Sequence, residues 1–243
     1  MAFNFKNITG KHKFNGTFEL NGIKYEYLLY LPILNSIERN EVIHFFGNRK
    51  HNGEICLDLT EEIMEDYIDN NEISAYIIIN EVGSDETASG TLQIYDHCSG
   101  NKKQLLSNAF VWINDICRIL GPSGVKTNVS PVGALLTFME QLTIQNIKKK
   151  EIYLFVDTHD ENNKTVLTEI YKKKYGFINN SIKDNNICFT NVNSEYIVMQ
   201  KPELISNISI IDFSFLMKRI GGYRKKTNKQ NKTKTKTKRW REI

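Results

Sequence analysis

The residues of this chain that could do chemistry do not form any of the common catalytic motifs. The sequence contains no GxxxxGK(S/T) phosphate loop, no GxGxxG, no HExxH and no GxSxG. Its five histidines show no metal-ligand spacing, so they do not indicate a metal site. The sequence therefore gives no sign of nucleotide-loop, zinc-protease or serine-hydrolase chemistry.

The strongest candidate for a site is a helix start that follows an apolar strand, within residues 110–147. The free N–H groups of Val132, Gly133 and Ala134, aided by the helix dipole, could hold a phosphate oxygen. Gly133 would let a ligand approach the backbone closely. The same small residues would also suit tight packing of the helix on a sheet, and the local sequence leaves both interpretations open.

The helix that carries these groups is the best-defined element of the sequence. Ser130 suits the N-cap, and Pro131 suits the first helical position, where its missing N–H costs nothing. Apolar residues recur at the spacing of one helical face, at Leu135, Phe138, Met139 and Leu142. We therefore predict an amphipathic helix over 130–150.

Strands and a second helix must position this unit. Apolar runs predict strands at 74–80, 88–96 and 109–119, and short polar turns favour antiparallel pairing of the three. Residues 151–157 are apolar on both faces, as expected for a buried, parallel strand. A second amphipathic helix is predicted from Asn163 to about Lys174, before Gly176.

Other parts of the chain give weaker signals. Asn21-Gly22 predicts a hairpin between 14–20 and 23–31. A helix is predicted within 57–70, with Asp58 and Glu61 as a capping box. Segments 188–192 and 195–201 could form a closing hairpin, and no element is predicted for 36–56.

Charge divides the chain into two parts. Residues 218–243 contain 12 Lys and Arg against one acidic residue, which leaves 20 basic and 27 acidic residues before them. We predict a folded domain over 1–220 and a disordered basic tail over 221–243. The tail is interpreted as a solvated segment, with non-specific nucleic-acid binding as the alternative. It resembles basic tails of proteins from large DNA viruses.

Composition also leads to predictions about the compartment. The four cysteines, Cys56, Cys98, Cys117 and Cys188, form no CxxC pair and are interpreted as reduced thiols. No uncharged apolar stretch approaches the roughly 18 residues of a membrane-spanning helix. The first residues, MAFNFKNITGKHK, show no secretory signal. We therefore expect a cytoplasmic protein, with the cytoplasm of a virus-infected host as one setting, and no membrane partner.

Five segments within 74–202 resemble the GCN5-related N-acetyltransferase (GNAT) superfamily. They are VWINDICRI, PVGALLTFME, IYLFVD, NNKTVLTEIYKKKYGF and EYIVMQKP. The resemblance implies an α/β (α+β layered) domain with a mixed, mostly antiparallel sheet. Two central parallel strands would splay apart between flanking helices, and their cleft would hold acetyl-CoA as cosubstrate.

The resemblance also implies roles for individual residues. Backbone groups of Ile116, Cys117 and Arg118 would hold the pantetheine arm and polarise the thioester carbonyl. Asn163 would contact the pantetheine, and Tyr171 would protonate the departing thiolate. The residues implied to cradle the pyrophosphate are Thr127, Asn128, Val129, Ser130, Val132, Gly133 and Ala134.

The general base is less clearly implied. Asp115 matches an acidic strand position of some family members, and Glu81 is a second candidate. A base is needed because an amine with a pKa near about 10.4 must lose a proton before it attacks.

The chain departs from the family pattern at three places. The phosphate loop usually reads (Q/R)xxGx(G/A), whereas this chain has Asn128 and Pro131 at the first and fourth positions and keeps Gly133. The spacings from Asn163 to Tyr171 and from Tyr171 to Gly176 are each one residue longer than is common, which a π-bulge in the helix could absorb.

These observations lead to one preferred function and two alternatives. The preferred function is acetyl transfer from acetyl-CoA to a primary amine by direct attack in a ternary complex. The alternatives are a GNAT-like interaction module without catalysis, and nucleic-acid binding through the tail.

Overall fold

The computed structural model describes the chain in separate stretches. They are residues 12–32, 34–51, 54–55, 60–70, 73–95, 110–121, 131–147, 151–156, 161–179, 197–202, 211 and 213. The predicted basic tail, the predicted strand at 188–192 and the boundary at 220 lie outside the described residues. So do four residues implied in the phosphate cradle, Thr127, Asn128, Val129 and Ser130.

The described residues form strands and helices that alternate along the chain. In order they are β1 (Lys13–Leu20), β2 (Ile23–Tyr30), α1 (Ser36–Gly47), β3 (Lys50–His51), β4 (Glu54–Ile55), α2 (Glu61–Asp69), β5 (Ala75–Glu81), β6 (Thr87–Tyr95), β7 (Phe110–Ile119), α3 (Pro131–Leu142), β8 (Ile152–Val156), α4 (Glu161–Tyr175), β9 (Ile178–Asn179) and β10 (Ile197–Lys201).

Eight of these strands form one sheet in the order β1-β2-β5-β6-β7-β8-β10-β9. Every neighbouring pair is antiparallel except β7 and β8, which are parallel. The parallel pair lies inside the sheet, with α3 as its crossover connection. The predicted fold class, a mixed and mostly antiparallel sheet with two parallel central strands and flanking helices, is confirmed.

Alternation of side chains gives the large sheet two buried faces. One face carries Ile77 and Ile79 and packs against α3, and we call it the α3 face. The opposite face carries Tyr76 and Ile78 and packs against α1 and α2, and we call it the α1 face. The site therefore has different neighbours above and below the sheet.

The first two strands form the predicted hairpin. Asn21 has φ of 54° and Gly22 has φ of 77°, as a type I′ turn requires. Strand pairing runs from Leu20 and Ile23 back to Lys13 and Tyr30.

Capping residues begin the two helices of the α1 face. Asn35 caps α1 and forms a capping box with Glu38, a signal present in the sequence that was not recognised. At α2, the predicted box of Asp58 and Glu61 is wrong. Glu61 is the first helical residue, and the hydroxyl of Thr60 accepts the hydrogen bond from the N–H of Ile63.

The end of α3 holds a later part of the chain in place. The last turn, Thr143–Ile147, is π-helical. There, the side-chain amide of Gln145 donates to the carbonyl of Ile211 at 2.7 Å and accepts from the N–H of Phe213 at 3.1 Å. Phe213 is fully buried against α3. The π-bulge expected in the second amphipathic helix is not found, because α4 is α-helical from end to end.

No helix within the described part of the chain is both long and apolar enough to cross a membrane.

One carboxylate attaches the hairpin to α1. Oε2 of Glu41 accepts hydrogen bonds from Nζ of Lys13 at 2.6 Å and from the hydroxyl of Tyr30 at 2.8 Å. The bond from Lys13, and then the bond from Tyr30, lower the pKa of Glu41 below its ordinary 4.5. The charged carboxylate is therefore the form that the folded state favours.

This attachment predicts a pH-dependent effect of Glu41→Gln. The folded pKa lies below the unfolded one, so the stabilisation is present above pH 4.5 and is lost as the pH falls below that value. The variant should be less stable than wild type by up to about 1 kcal/mol near neutral pH, and this difference should shrink as the pH is lowered below 4.5. Urea unfolding at neutral pH and at an acidic pH measures the change.

Glu26→Gln, at an exposed position of β2, is the control and should have little effect at either pH. A Glu41→Gln effect that stayed constant across the pH range would contradict the account.

Candidate functional site

The two parallel strands separate soon after they meet. β7 and β8 pair at Trp112 with Tyr153 and at Ile113 with Leu154, and at no further position of the two strands. β7 nevertheless continues to Ile119, where it still pairs with β6. Among the described strands, segment 114–119 of β7 therefore pairs with β6 alone. We call the space on its other side, where β8 has moved away, the slot, and alternate N–H and C=O groups of the segment point toward it.

A β-bulge marks the point of separation. Thr91 of β6 pairs with Asp115, whereas the next residue, Leu92, pairs with Ile113, so that Asn114 is the extra residue. A bulge bends its strand and increases the local twist. Because the bulge directly follows the last pair with β8, it accounts for the departure of β7 from its neighbour.

The second and third turns of α3 cross β6 at the level of segment 114–119. A Cβ at Gly90, which pairs with Ile116, would lie 2.5 Å from the carbonyl oxygen of Asp115 and 2.8 Å from Cε of Met139, so glycine at this position lets strand and helix lie close together. The first turn of α3 borders Tyr175 at Gly133, and Tyr175 lies near the Arg118 charge, which places the amino end of α3 close to the far end of β7. The N–H groups of 132–134 have no partner within an α-helix.

The structure thus brings together most of the described residues that were implied to bind the cofactor. Ile116, Cys117 and Arg118 all lie in segment 114–119, beyond the last pair of β7 with β8. Val132, Gly133 and Ala134 form the first turn of α3. Asn163 lies in the first turn of α4, and its side chain is outside the described residues.

The side chain of Arg118 belongs to a buried ion pair on the α3 face. Its Nη2 donates to both carboxylate oxygens of Glu86, at 2.8 and 2.6 Å, and its Nε donates to Oε2 at 3.1 Å. The Glu86 side chain is fully buried. Glu86 precedes β6 within a turn, and its role had no signal in the sequence.

Tyr175 lies next to this ion pair and next to α3. A Cβ added to Gly133 would lie 3.6 Å from Cε1 of Tyr175, so the ring borders the first turn of α3. Burial raises the pKa of Tyr175, and the Arg118 charge acts in the opposite direction. The sequence analysis missed Tyr175, although its position directly before Gly176 was visible.

Tyr171 packs one turn before Tyr175. Its ring centroid lies 6.0 Å from that of Tyr175 and 5.8 Å from that of Phe177. Burial raises the pKa of Tyr171, and the charge of Tyr175 adds to the rise. Tyr171 therefore packs between Tyr175 and Phe177, and like Tyr175 it is half-buried.

Asp115, one of the two candidate bases, is part of a buried ion pair on the α1 face. Its Oδ2 lies 2.6 Å from Nη1 of Arg49, and the two side chains are 0% and 1% exposed. Its Oδ1 accepts a short hydrogen bond from the hydroxyl of Thr91. A carboxylate held by a guanidinium and sealed from solvent is poorly placed to take a proton from a substrate amine.

Glu81, the other candidate base, lies at the end of β5. Asn80 pairs with Thr87, which pairs with Ile119, so Glu81 lies at the end of the sheet where the slot is open. β6 separates β5 from β7, which places the two strands about 10 Å apart. Direct contact of Glu81 with the backbone of the slot is therefore not expected.

Cys117 differs from its predicted state. It is buried and disulfide-bonded, so the prediction of a reduced thiol is wrong for this residue. Disulfides depend on which side chains meet in space, and separation along the chain does not reveal that. The other cysteines lie outside the described residues, and the compartment stays a prediction.

Among the residues that the structure describes, no group of three or more His, Cys, Asp or Glu side chains could hold a metal ion.

Comparisons with known proteins give matches only among solved structures. No family model matches the chain, and no curated protein matches its sequence significantly. A putative arylalkylamine N-acetyltransferase 7 from the mosquito Aedes aegypti matches with a TM-score of 0.39 and 10% identity, over 80% of this chain and 96% of that one.

Two bacterial structures are similar at the same level. A chimera of spermidine N-acetyltransferase SpeG from Vibrio cholerae and hSSAT has a TM-score of 0.34 and 15% identity, over 71% of this chain and 94% of that one. A ribosomal-protein-S5-alanine acetyltransferase from Vibrio fischeri has a TM-score of 0.31 and 11% identity, over 77% of this chain and 97% of that one.

These three structures carry N-acetyltransferase names, in line with the resemblance stated from the sequence. At TM-scores below 0.5 they say nothing about the activity of this chain, which has to be inferred from its own geometry.

The surroundings of Asp115 predict a large loss of stability for Asp115→Asn. Removing one partner of a buried ion pair leaves the other charge uncompensated, which costs about 3–5 kcal/mol in the free energy of unfolding. Asp69→Asn is the matched control, because Asp69 is an exposed partner of Arg39 and its loss should cost about 1 kcal/mol or less. Urea unfolding measures both, and equal effects would contradict a structural role of Asp115.

Proposed function

We propose that this protein is an N-acetyltransferase that transfers an acetyl group from acetyl-CoA to a primary amine in a ternary complex. The observation that carries the proposal is the separation of β7 from β8 beside the amino end of α3. It places a strand edge that has left its β8 neighbour close to the first turn of a helix, whose N–H groups point away from the helix body. A long molecule with amides at one end and phosphates at the other fits that combination.

The residues present fit acetyl-CoA in both respects. The pantetheine arm contains amides, which can pair with segment 114–119 as a further strand would. The pyrophosphate is anionic and suits the first turn of α3, where three N–H groups and the helix dipole converge. Pro131 lacks an N–H and so contributes none to this set.

The transfer step balances with groups that the chain provides. The amine nitrogen attacks the acetyl carbonyl carbon, and the carbon–sulfur bond breaks to give an amide and the CoA thiolate. Negative charge that develops on the carbonyl oxygen is stabilised by strand N–H groups at 116–118. The thiolate receives a proton from a phenol, and the proton that the attacking nitrogen loses as the amide forms passes through water to the phenolate and restores it.

Tyr175 is our proposed proton donor. Its ring borders α3, whereas Tyr171 packs behind it against Phe177. The Arg118 charge counteracts the rise in the pKa of Tyr175 that burial causes, which makes Tyr175 the better acid of the two. A thiol has an ordinary pKa near about 8.5, so a stronger phenolic acid makes the proton transfer less unfavourable.

The acceptor amine must either arrive in its neutral form or lose a proton in the site before it attacks the acetyl carbon. We propose that Glu81, at the open end of the sheet, takes up its proton through water. The excess of 27 acidic over 20 basic residues in 1–217 favours a cationic acceptor.

A second candidate function, binding of acyl-CoA without turnover, is favoured by one observation. Asp115, the carboxylate nearest to the bulge, is occupied by Arg49. If no base operates, the slot would still hold the cofactor.

Titration with acetyl-CoA and assay of amines distinguish the two functions. Calorimetry should detect acetyl-CoA binding, and mass spectrometry of a panel of polyamines, arylalkylamines and peptides should detect a product heavier by one acetyl group. Binding without any product would support the second function. Absence of both heat and thermal stabilisation with acetyl-CoA would reject both functions.

Gly133→Ala should change stability and binding in opposite directions. Alanine is favoured over glycine in a helix by about 0.5–1 kcal/mol, and the added Cβ makes ordinary contact with Tyr175. The same Cβ projects from the turn that is proposed to hold the pyrophosphate. Acetyl-CoA affinity should fall roughly ten- to a hundredfold, as expected for one lost charged hydrogen bond.

Thermal unfolding and calorimetry measure the two effects. Ile37→Ala, in the first turn of α1, is the control for binding and should leave the acetyl-CoA affinity unchanged. Unaltered affinity in Gly133→Ala would remove the first turn of α3 from the proposed cradle.

Tyr175→Phe and Tyr171→Phe form a matched pair that tests the proton donor. Loss of a general acid typically lowers turnover by about 10²-fold or more, and we expect this for Tyr175→Phe only. Because burial raises the pKa of Tyr175, wild-type kcat should show no alkaline decline below pH 10 that depends on this residue. Steady-state kinetics with the best amine of the panel measures both.

If Tyr171→Phe is instead the slow variant, the donor is the residue that the sequence resemblance implies. If both variants keep full turnover, neither tyrosine protonates the thiolate.

A further inference from the structure

Arg49 joins the end of α1 to the strand that borders the slot. It lies between α1 and β3 and is 2% exposed. We propose that Arg49, acting through Asp115, is a positioning residue that holds β7 in place where it leaves β8. This inference rests on the proposed function for its consequence but not for the contact itself.

The guanidinium of Arg49 hydrogen-bonds α1 and β6 and lies in ionic contact with β7, while its Nη2 makes no hydrogen bond within the described part of the chain. Its Nε donates to the carbonyl of Phe46 at 3.1 Å, one of the carbonyls left free at the end of α1. Its Nη1 donates to the hydroxyl of Ser89 at 3.0 Å and lies 2.6 Å from Oδ2 of Asp115. The guanidinium carbon also lies 4.5 Å from the centre of the Phe46 ring. Arg49 therefore connects α1, β6 and β7.

The position of Asp115 along β7 gives this contact its significance. Ile113 is the last residue paired with β8, Asn114 is the bulge residue, and Asp115 follows directly. From Asp115 onward, β7 loses the hydrogen bonds that β8 would otherwise supply. The ion pair fixes the strand at the first residue where that support is missing.

The chemistry of arginine suits this task better than a simple positive charge would. Its planar group offers donors on separate edges, so it can bond a helix carbonyl and a strand hydroxyl while its charge lies against the Asp115 carboxylate. Both side chains are sealed from solvent, so water does not screen their attraction. Lysine at this position would keep the positive charge but lose the planar group with several N–H donors.

The consequence for the proposed reaction lies one to three residues farther along β7. Residues 116–118 carry the N–H groups that would bind the acyl end of the cofactor. A shift of β7 by a fraction of an ångström would misalign these N–H groups with the acyl oxygen. The first turn of α3 would not move with β7. Loss of the anchor should therefore weaken binding of the acyl and pantetheine half and spare the nucleotide half.

Three variants separate positioning from general stability. Arg49→Met combined with Asp115→Leu removes the pair without leaving a buried charge, an exchange that buried ion pairs often tolerate. Arg49→Lys keeps the charge and provides the same readouts should the double variant not fold. Arg39→Met, on α1 and in an exposed ion pair with Asp69, is the control.

Two measurements are made on each folded variant. Hydrogen exchange of the amides of 114–119, without ligand, should become about tenfold faster in the double variant and in Arg49→Lys, and stay unchanged in Arg39→Met. Calorimetry should show about tenfold weaker acetyl-CoA binding, with unchanged affinity for 3′,5′-ADP, the nucleotide half of the cofactor.

Unchanged exchange at 114–119 would overturn the proposal, and so would an equal loss of affinity for both ligands. If wild type binds neither ligand, the proposed function fails, and the exchange measurement alone decides whether Arg49 positions β7.

Discussion

One constraint organises this molecule: a parallel strand pair that separates inside the sheet leaves backbone groups without their expected partners. β7 pairs with β6 along its length, whereas it pairs with β8 at Trp112 and Ile113 only. Backbone N–H and C=O groups that are withdrawn from water without partners are costly, so an open strand edge inside a domain needs water or a ligand. The bulge at Asn114 creates this edge, and the surrounding elements keep it open.

The other features of the site follow from this edge. Gly90 lets α3 cross close to the sheet, and the first turn of α3 borders Tyr175, which lies near Arg118 of β7. On the α3 face, Glu86 holds Arg118, and Tyr175 completes the border. On the α1 face, Arg49 holds Asp115. Two ion pairs, one on each face of the sheet, thus hold segment 114–119 of β7, which no longer pairs with β8.

The sequence was informative where the cause of structure is local. The Asn21-Gly22 turn, three consecutive strands and the helix that begins at Pro131 were predicted because period and turn chemistry lie within a few residues. The capping box of Asn35 and Glu38 was equally local and was overlooked. By contrast, Arg49 and Asp115 meet only after the sheet has formed, and no spacing rule connects residues so far apart. The same holds for Arg118 with Glu86 and for the disulfide of Cys117.

Amide hydrogen exchange of wild type with and without acetyl-CoA tests the central claim most directly, because it reports where the cofactor lies. If the unpaired edge of β7 and the start of α3 form the cofactor site, acetyl-CoA should slow the exchange of amides in 116–118 and 132–134 together. Unchanged exchange in both segments at saturating acetyl-CoA, or protection confined to another part of the chain, would contradict it.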